Sequence, residues 1–527
     1  MTVRPAVTAM CVALASTIAH AEHPFGATSP QDFWTSSRAT GSSDAASGIA
    51  EGQTAGTTLR TAQADPKSAP GRRTEPSSRS GLFDAPETSS GAESKGAPAG
   101  RSGAEPSSRS ALFGAPDAPT SGAPRLSGFV DVLAAYTFGD PGHWSRGVGR
   151  LQLMGQGTFG EGVKWKVSGR VDADPVYFSS NFYPNEVKRD QRIDVFHRET
   201  YLDFSAAGWD FRLGAQHIIW GEVVGLFFAD VVSARDQREF ILPSFDIIRI
   251  PQWAARAEYF KDDSHLELIW IPVPLFDKIG KPGSDFYPVP LQAPFPQGAS
   301  AVFEDPQRPT RDLNNSNYGV RANSLIAGWD VAAFYYRSFA TLPTFYRRPS
   351  TTPGEFVFAP RHDRIWQIGG TFTKDLGSIV ARGEAVYTKG QNFAVNTGFP
   401  ADGVVSRETL DWIIGIDYPL PSESRINLQV FRRTYFGGDD DNIVPHAAGS
   451  GVTALFSTKL SDRLEPSILW IQHFDGGGGL VRPKVTWSFM KNVSLGFGAD
   501  IFRGSRDGYF GRFNNRDRVY TELRYDF

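Results

Sequence analysis

From Leu126 onward the chain runs in segments of about ten residues that alternate apolar with polar side chains, divided by turn residues. A period of two is the period of a β-strand, whose successive side chains point to opposite faces. Between Val163 and Asp172, the residues Val163, Trp165, Val167, Gly169 and Val171 take one face. Lys164, Lys166, Ser168, Arg170 and Asp172 take the other. The same split sets Ala381, Ala385 and Tyr387 against Arg382 and Glu384, and Val493, Leu495, Phe497 and Ile501 against Ser494 and Asp500. At the end, Val519, Leu523, Tyr525 and Phe527 oppose Arg518, Glu522, Arg524 and Asp526. A soluble sandwich would bury its apolar face in a core. Here the other face carries so many charges that it needs water, so the apolar face is left for lipid. The expectation is an all-β chain: a transmembrane antiparallel β-barrel, with Tyr and Trp near strand ends as an interfacial girdle.

The spacing predicts strands near 127–138, 147–157, 163–173, 192–205, 209–217, 252–260, 264–272, 316–328, 329–338, 364–375, 377–388, 409–420, 423–433, 449–460, 463–473, 480–489, 492–502 and 517–527. That makes about eighteen strands, with sixteen as the alternative count. Turns after even-numbered strands are short, such as Ala206-Ala-Gly208 and Lys491-Asn492. Connections after odd-numbered strands are mostly long. This parity is that of outer-membrane barrels with both termini in the periplasm. The close on Phe527 resembles the signal by which barrel-assembly machinery recognises its clients.

Composition agrees with this. A mean hydropathy of −0.30 and the lack of a long charge-free apolar run exclude a helical membrane bundle, but not a barrel. A net charge of −3 gives no footprint for nucleic acid. Arg4, the apolar stretch Ala6–Ile18 and Ala19-His20-Ala21 predict a signal peptide at 1–21. Residues 22–124, rich in Gly, Ala, Ser, Thr, Pro and Arg, predict a disordered periplasmic tether. Within it Glu75–Pro86 returns as Glu105–Pro116, a duplication in a low-complexity segment or a docking motif presented twice. The barrel is then expected over 125–527.

The stretch from Glu199 to Pro251 departs most from the hairpin rhythm. It contains Glu199-Thr-Tyr-Leu-Asp203, Arg212-Leu-Gly-Ala-Gln216, Trp220-Gly-Glu222, Asp230-Val-Val-Ser-Ala-Arg-Asp236 and Ile250-Pro251. This order, followed by Ile269-Trp-Ile-Pro272, resembles the Gram-negative outer-membrane family catalogued as domain of unknown function thirteen-zero-two. The resemblance covers about 126–527 and is strongest over 195–275. It implies a porin-like barrel, often encoded near an inner-membrane transporter of the resistance-nodulation-division type and a periplasmic lipid-handling protein. The other expected partners are outer-membrane lipid, lipopolysaccharide and the assembly machinery.

On physical grounds, residues 218–250 are too long for an idle loop and carry both apolar and charged groups. The expectation is that they fold into the lumen and narrow it, the alternative being an external loop. Glu222, Asp230, Arg235, Asp236 and Arg238 would then pair with wall residues such as Arg212 or Lys166, with Gln216 at the constriction. Lys164, Lys166, Arg170, Arg212, Arg382, Arg518 and Arg524 face Asp172, Glu384 and Glu522. They form either a basic ladder for an anionic or amphipathic solute or cross-strand pairs. Asp439-Asp-Asp441 is a solvated acidic loop or, less simply, a calcium site.

With no cysteine beyond Cys11, no G-x-S-x-G elbow and no H-E-x-x-H, the expectation is a non-enzyme without metal or cofactor. The functional expectation is an outer-membrane channel passing small amphipathic or hydrophobic solutes passively, as part of an export or uptake route. A lipid hydrolase and a non-conducting docking barrel are the alternatives.

Overall fold

A computed structural model describes residues 124–527, apart from 161, 222–228, 289–299, 396–400, 439–441, 446 and 448. The predicted signal peptide, nearly all of the tether with its duplication, Glu222 and the acidic triplet at 439–441 therefore lie outside the described residues.

Eighteen antiparallel strands form the wall. They are β1 (Arg125–Thr137), β2 (Gly149–Phe159), β3 (Val163–Ala173), β4 (Ile193–Ala206), β5 (Trp209–Gln216), β6 (Gln252–Lys261), β7 (Ser264–Ile271), β8 (Asn317–Ile326) and β9 (Trp329–Phe339). The second half runs β10 (Arg364–Asp375), β11 (Val380–Ala394), β12 (Val404–Leu420), β13 (Ser424–Phe436), β14 (Gly449–Ser457), β15 (Leu464–His473), β16 (Gly479–Met490), β17 (Val493–Arg503) and β18 (Arg518–Asp526). Each strand pairs with its neighbours in sequence. The ring closes where β1 meets β18, in register from Phe129↔Asp526 to Thr137↔Arg518. Closure leaves no sheet edge, which is what a spanning sheet requires.

The short turns hold their strands by backbone geometry. Ala207-Gly208 and Ala327-Gly328 both have positive φ at each central residue, 53° and 80°, then 51° and 75°. That is the type I′ condition, whose twist matches the flanking strands.

The period of two sorts the faces as expected. Leu268, Ile368, Ile414, Leu428, Ile468 and Phe497 point outward and are exposed. Tyr259, Trp329, Trp487 and Tyr525 ring the turn end of this surface, and Trp253, Trp270, Tyr318 and Trp470 ring the loop end. An apolar band between two aromatic belts is the surface a bilayer solvates.

Three features went unread in the sequence. His143–Arg146 continues the pairing of β1 beyond a shift in register. A three-stranded sheet of Ser300–Phe303, Thr344–Pro349 and Glu355–Arg361 folds within the long connections. Strands β11 and β12 run further toward the loops than the alternation suggests. Their pairing resumes past an irregularity between Thr388 and Gln391, where Lys389-Gly-Gln391 breaks the pattern.

The seam makes one prediction. Phe527 N–H donates to the Gly128 carbonyl, and Gly128 N–H to the Phe527 carbonyl, both at 2.9 Å. The Phe527 ring faces outward, while Asp526 pairs with Arg524 at 3.1 Å. Phe527→Asp should lower the yield of heat-modifiable barrel about two- to fivefold, the cost of a charge near the interface. Asp526→Asn should leave it near wild type. Equal losses would contradict the assignment of faces at the seam.

Candidate functional site: a segment across the lumen

In the connection from β5 to β6, residues 217–221 and 229–251 lie inside the ring. Their first part lies on the near wall. Ile218, Trp220, Ala229 and Val232 pack against Ala254, Ile269, Ile271, Phe334, Tyr336 and Val386. Trp220 Nε1 donates to Glu267 at 3.2 Å, and the Ala229 N–H donates to Glu384 at 3.0 Å. Gly319 makes this contact possible, because a Cβ there would stand 2.7 Å from the Trp220 ring.

The middle part crosses to the far wall. Phe240 and Leu242 are buried with Phe431, Leu455, Leu469, Ile471, Leu480 and Phe502 of β13–β17. Phe286, Phe510 and Phe513 close the same cluster from other connections. Phe240 has φ 56° and ψ −124°, a conformation that costs a non-glycine residue about 1–3 kcal/mol. Burying Phe240 and Leu242 contributes roughly 1.5–3 kcal/mol each, so packing outweighs the strain.

Between the two apolar contacts the segment is held by charge. Asp230 accepts from Arg249 Nε at 3.0 Å, and a short ladder pairs Ala234-Arg235 with Arg249-Ile250. Arg238 contacts Asp236 at 2.6 Å and reaches Asp194 of β4 at 2.8 Å. Glu239 is the centre of the arrangement. Arg146 Nε and Arg518 Nη1 each donate to it at 2.9 Å, with Arg150 at 3.7 Å. Arg518 and Arg482 share Asp500, at 2.8 and 2.7 Å, and Arg150 takes Asp131 at 2.6 Å. Burial alone would raise the Glu239 carboxyl, but Arg146, Arg518 and Arg150 override it and lower it to about 2. Backbone carbonyls are held as well: Arg482 donates to Leu242, Arg170 to Ile247 and Arg198 to Arg249, at 2.8, 3.1 and 2.5 Å. Arg524 meets Asp246 at 3.3 Å.

The wall residues singled out from the sequence face inward, but several have partners other than those expected. Arg212 does not pair with the segment; it makes a bidentate contact with Asp203 at 2.6 and 2.8 Å. Lys166 pairs with Glu199 at 2.5 Å. Asp203 stands directly opposite Arg212 in the β4–β5 register, and a neighbour already in register needs no reach. Gln216 shares the inward parity of Arg212 but is fully buried, its amide donating to the carbonyls of Arg212 and Ala254 at 3.1 Å. Arg382 pairs with Asp417 and Glu522 with Lys484 from strand to strand, whereas Arg170 pairs with Asp172 along its own strand. Lys164 sits near the turn end, opposite Asp203. Arg235 donates to the Asp230 carbonyl, and its N–H to Asp277.

Glu239, Arg146, Arg150, Arg482 and Asp131 were missed as site residues. Arg150, Arg482 and Asp131 share the inward parity of their strands, a signal that could have found them. Nothing local marks Glu239 over its neighbours.

Among the described residues, two sizeable cavities flank the segment. One of about 370 Å³ opens toward the loop end, lined by Phe339, Phe345, Phe431, Tyr435, Arg433 and Arg512 among others. One of about 160 Å³ lies toward the turn end, lined by Phe245, Leu469, Leu480, Lys484, Glu522 and Arg524 among others. Ile241 lines both.

Comparison with known proteins gives one family match: the family described as "Protein of unknown function (DUF1302)" matches residues 160–527. No curated protein matches the chain. Among solved structures, OmpF of Salmonella typhi in complex with daunomycin is similar at 11% identity and a TM-score of 0.39, over 77% of this chain and 97% of that one. OmpT, an outer membrane protein of Vibrio cholerae folded in vitro, in its trimer form, is similar at 10% identity and 0.37, over 77% and 100%.

Proposed function

Because the chain belongs to the DUF1302 family, we propose that it is an outer-membrane channel that passes small amphipathic solutes down their gradient through a bore narrowed by residues 229–251. One observation carries this reading. Among the described residues, two sizeable cavities lie one on each side of a constriction that includes Ile241, and both combine apolar and charged lining. A solute with an apolar part and a polar part finds matching surface on either side. A hydrated sugar finds little water-filled cross-section. The outward apolar band and its aromatic belts support insertion in a bilayer, and the turn parity supports termini on the periplasmic side. Residues 1–21 would then be the export signal and 22–124 a periplasmic tether, within reach of a lipid-handling protein and an inner-membrane transporter.

Flux into proteoliposomes tests the proposal. Phenylalanine amide and a monosaccharide of similar mass should both enter faster than into empty vesicles, the amphipathic compound faster than the sugar. Entry of neither, with correctly folded protein in the vesicles, would favour a barrel that docks partners and conducts nothing.

A further inference from the structure

Most of the cations around the lumen and its constriction are neutralised. In the loop-end cavity Arg433 makes a bidentate contact with Asp411, at 2.5 and 2.9 Å, and Arg235 is held by Asp230. Arg512 differs. It stands on the turn Gly511–Phe513 between β17 and β18, and it lines the same cavity. Among the described residues its guanidinium has no ion pair and no side-chain hydrogen bond, and its Nε is buried without a partner.

Aromatic rings hold it in place instead. Its guanidinium carbon lies 4.7 Å from the Phe513 ring centre, 5.4 Å from Tyr509 and 5.7 Å from Phe240. Such faces attract a cation but leave its five N–H donors unused. Burial lowers its pKa to about 10, so it stays charged at neutral pH. A planar fork of unused donors suits a carboxylate, which it can grip with two parallel bonds. The cavity beside it, about 370 Å³ with Phe431, Tyr435 and Ile443 in its wall, has room for an apolar tail.

We propose that Arg512 is the anion-holding residue of a solute site at the loop end of the lumen, and that the solute is a small carboxylate with an apolar or aromatic tail. The assignment rests on the channel reading and names its solute class. Phe240 links the site to the constriction. It joins the segment to the ring set that supports the guanidinium.

The test is equilibrium dialysis of phenylbutyrate and of its neutral isostere phenylbutyramide against the refolded full-length protein in lipid nanodiscs, with empty nanodiscs as blank. Wild type should bind the carboxylate about tenfold more tightly than the amide, as one charge-assisted pair allows. Arg512→Met should remove that preference, chiefly by weakening the binding of the carboxylate. Arg512→Lys, which keeps the charge and loses the fork, should retain part of it and guards against a folding defect in the methionine variant. No preference in wild type, or a preference untouched in Arg512→Met, would overturn the assignment, and flux of the neutral amide in proteoliposomes would leave the channel reading standing. A charge preference without flux of either compound would uphold Arg512 and overturn the channel.

Discussion

Glu239→Ala should loosen the lumenal segment while the barrel stays assembled. The substitution removes the carboxylate that receives Arg146 and Arg518 at 2.9 Å, in a place where all three side chains are buried. Breaking a buried pair by removing one partner costs about 3–5 kcal/mol when water cannot enter. A lumen admits some water, and Arg518 keeps Asp500, so about 2–3 kcal/mol is the better expectation. That would move the balance between docked and undocked segment by about 30- to 150-fold. Trypsin reads the change directly, because Arg235 and Arg238 lie in the segment and are sheltered when it is docked. Cleavage there should rise steeply in Glu239→Ala and less in Glu239→Gln, which keeps an acceptor but not the charge. The carboxyl is held down by its arginines, so the stabilisation is complete above the ordinary glutamate value of about 4.3 and fades only as pH falls toward about 2. Mild acid should therefore not imitate the mutation. Unchanged cleavage in Glu239→Ala would mean that the apolar contacts of Phe240 and Leu242 hold the segment without help.

The wall was legible in the sequence because its rule is local. Alternation assigns each residue of β3 or β17 to a face without reference to any other strand, and turn parity orders the hairpins. Legibility ended where the rule ended. The bulged ends of β11 and β12 and the small sheet inside the long connections follow no period of two over enough residues to show. The lumenal segment was legible as an anomaly, through its length and mixed character, but its partners were not. Arg212 and Lys166 were plausible partners on charge alone, yet the register supplies each with a carboxylate on the adjacent strand. Glu239 finds Arg146 and Arg518 because Phe240 and Leu242 carry it across the ring. That is a long-range packing event that pairwise charge reasoning cannot see.

The largest effect is expected from removing the segment. Replacing 222–246 by a flexible linker of about eight Gly and Ser residues would take away Glu239, Phe240, Ile241 and Leu242 together. The wall should survive, since its backbone hydrogen bonds run from strand to strand and the ring closes through β1 and β18. The arginines that met Glu239 would keep carboxylates, beginning with Arg146 on Asp174. Arg150 keeps Asp131, and Arg482 and Arg518 keep Asp500. The inward faces of Phe431, Ile471, Leu480 and Phe502 would become wet, which lowers stability somewhat but leaves the lipid-facing surface untouched. With the constriction gone, the two cavities merge into one water-filled bore of the kind that rings of this strand number enclose.

Single-channel conductance in planar bilayers, wild type beside the 222–246 replacement, therefore addresses the central claim most directly. A small wild-type conductance, with a several-fold larger and steadier one in the replacement at equal folded yield, is the predicted result. Equal conductance in two correctly assembled proteins would contradict it, because a segment that can be removed without widening the path does not narrow the path.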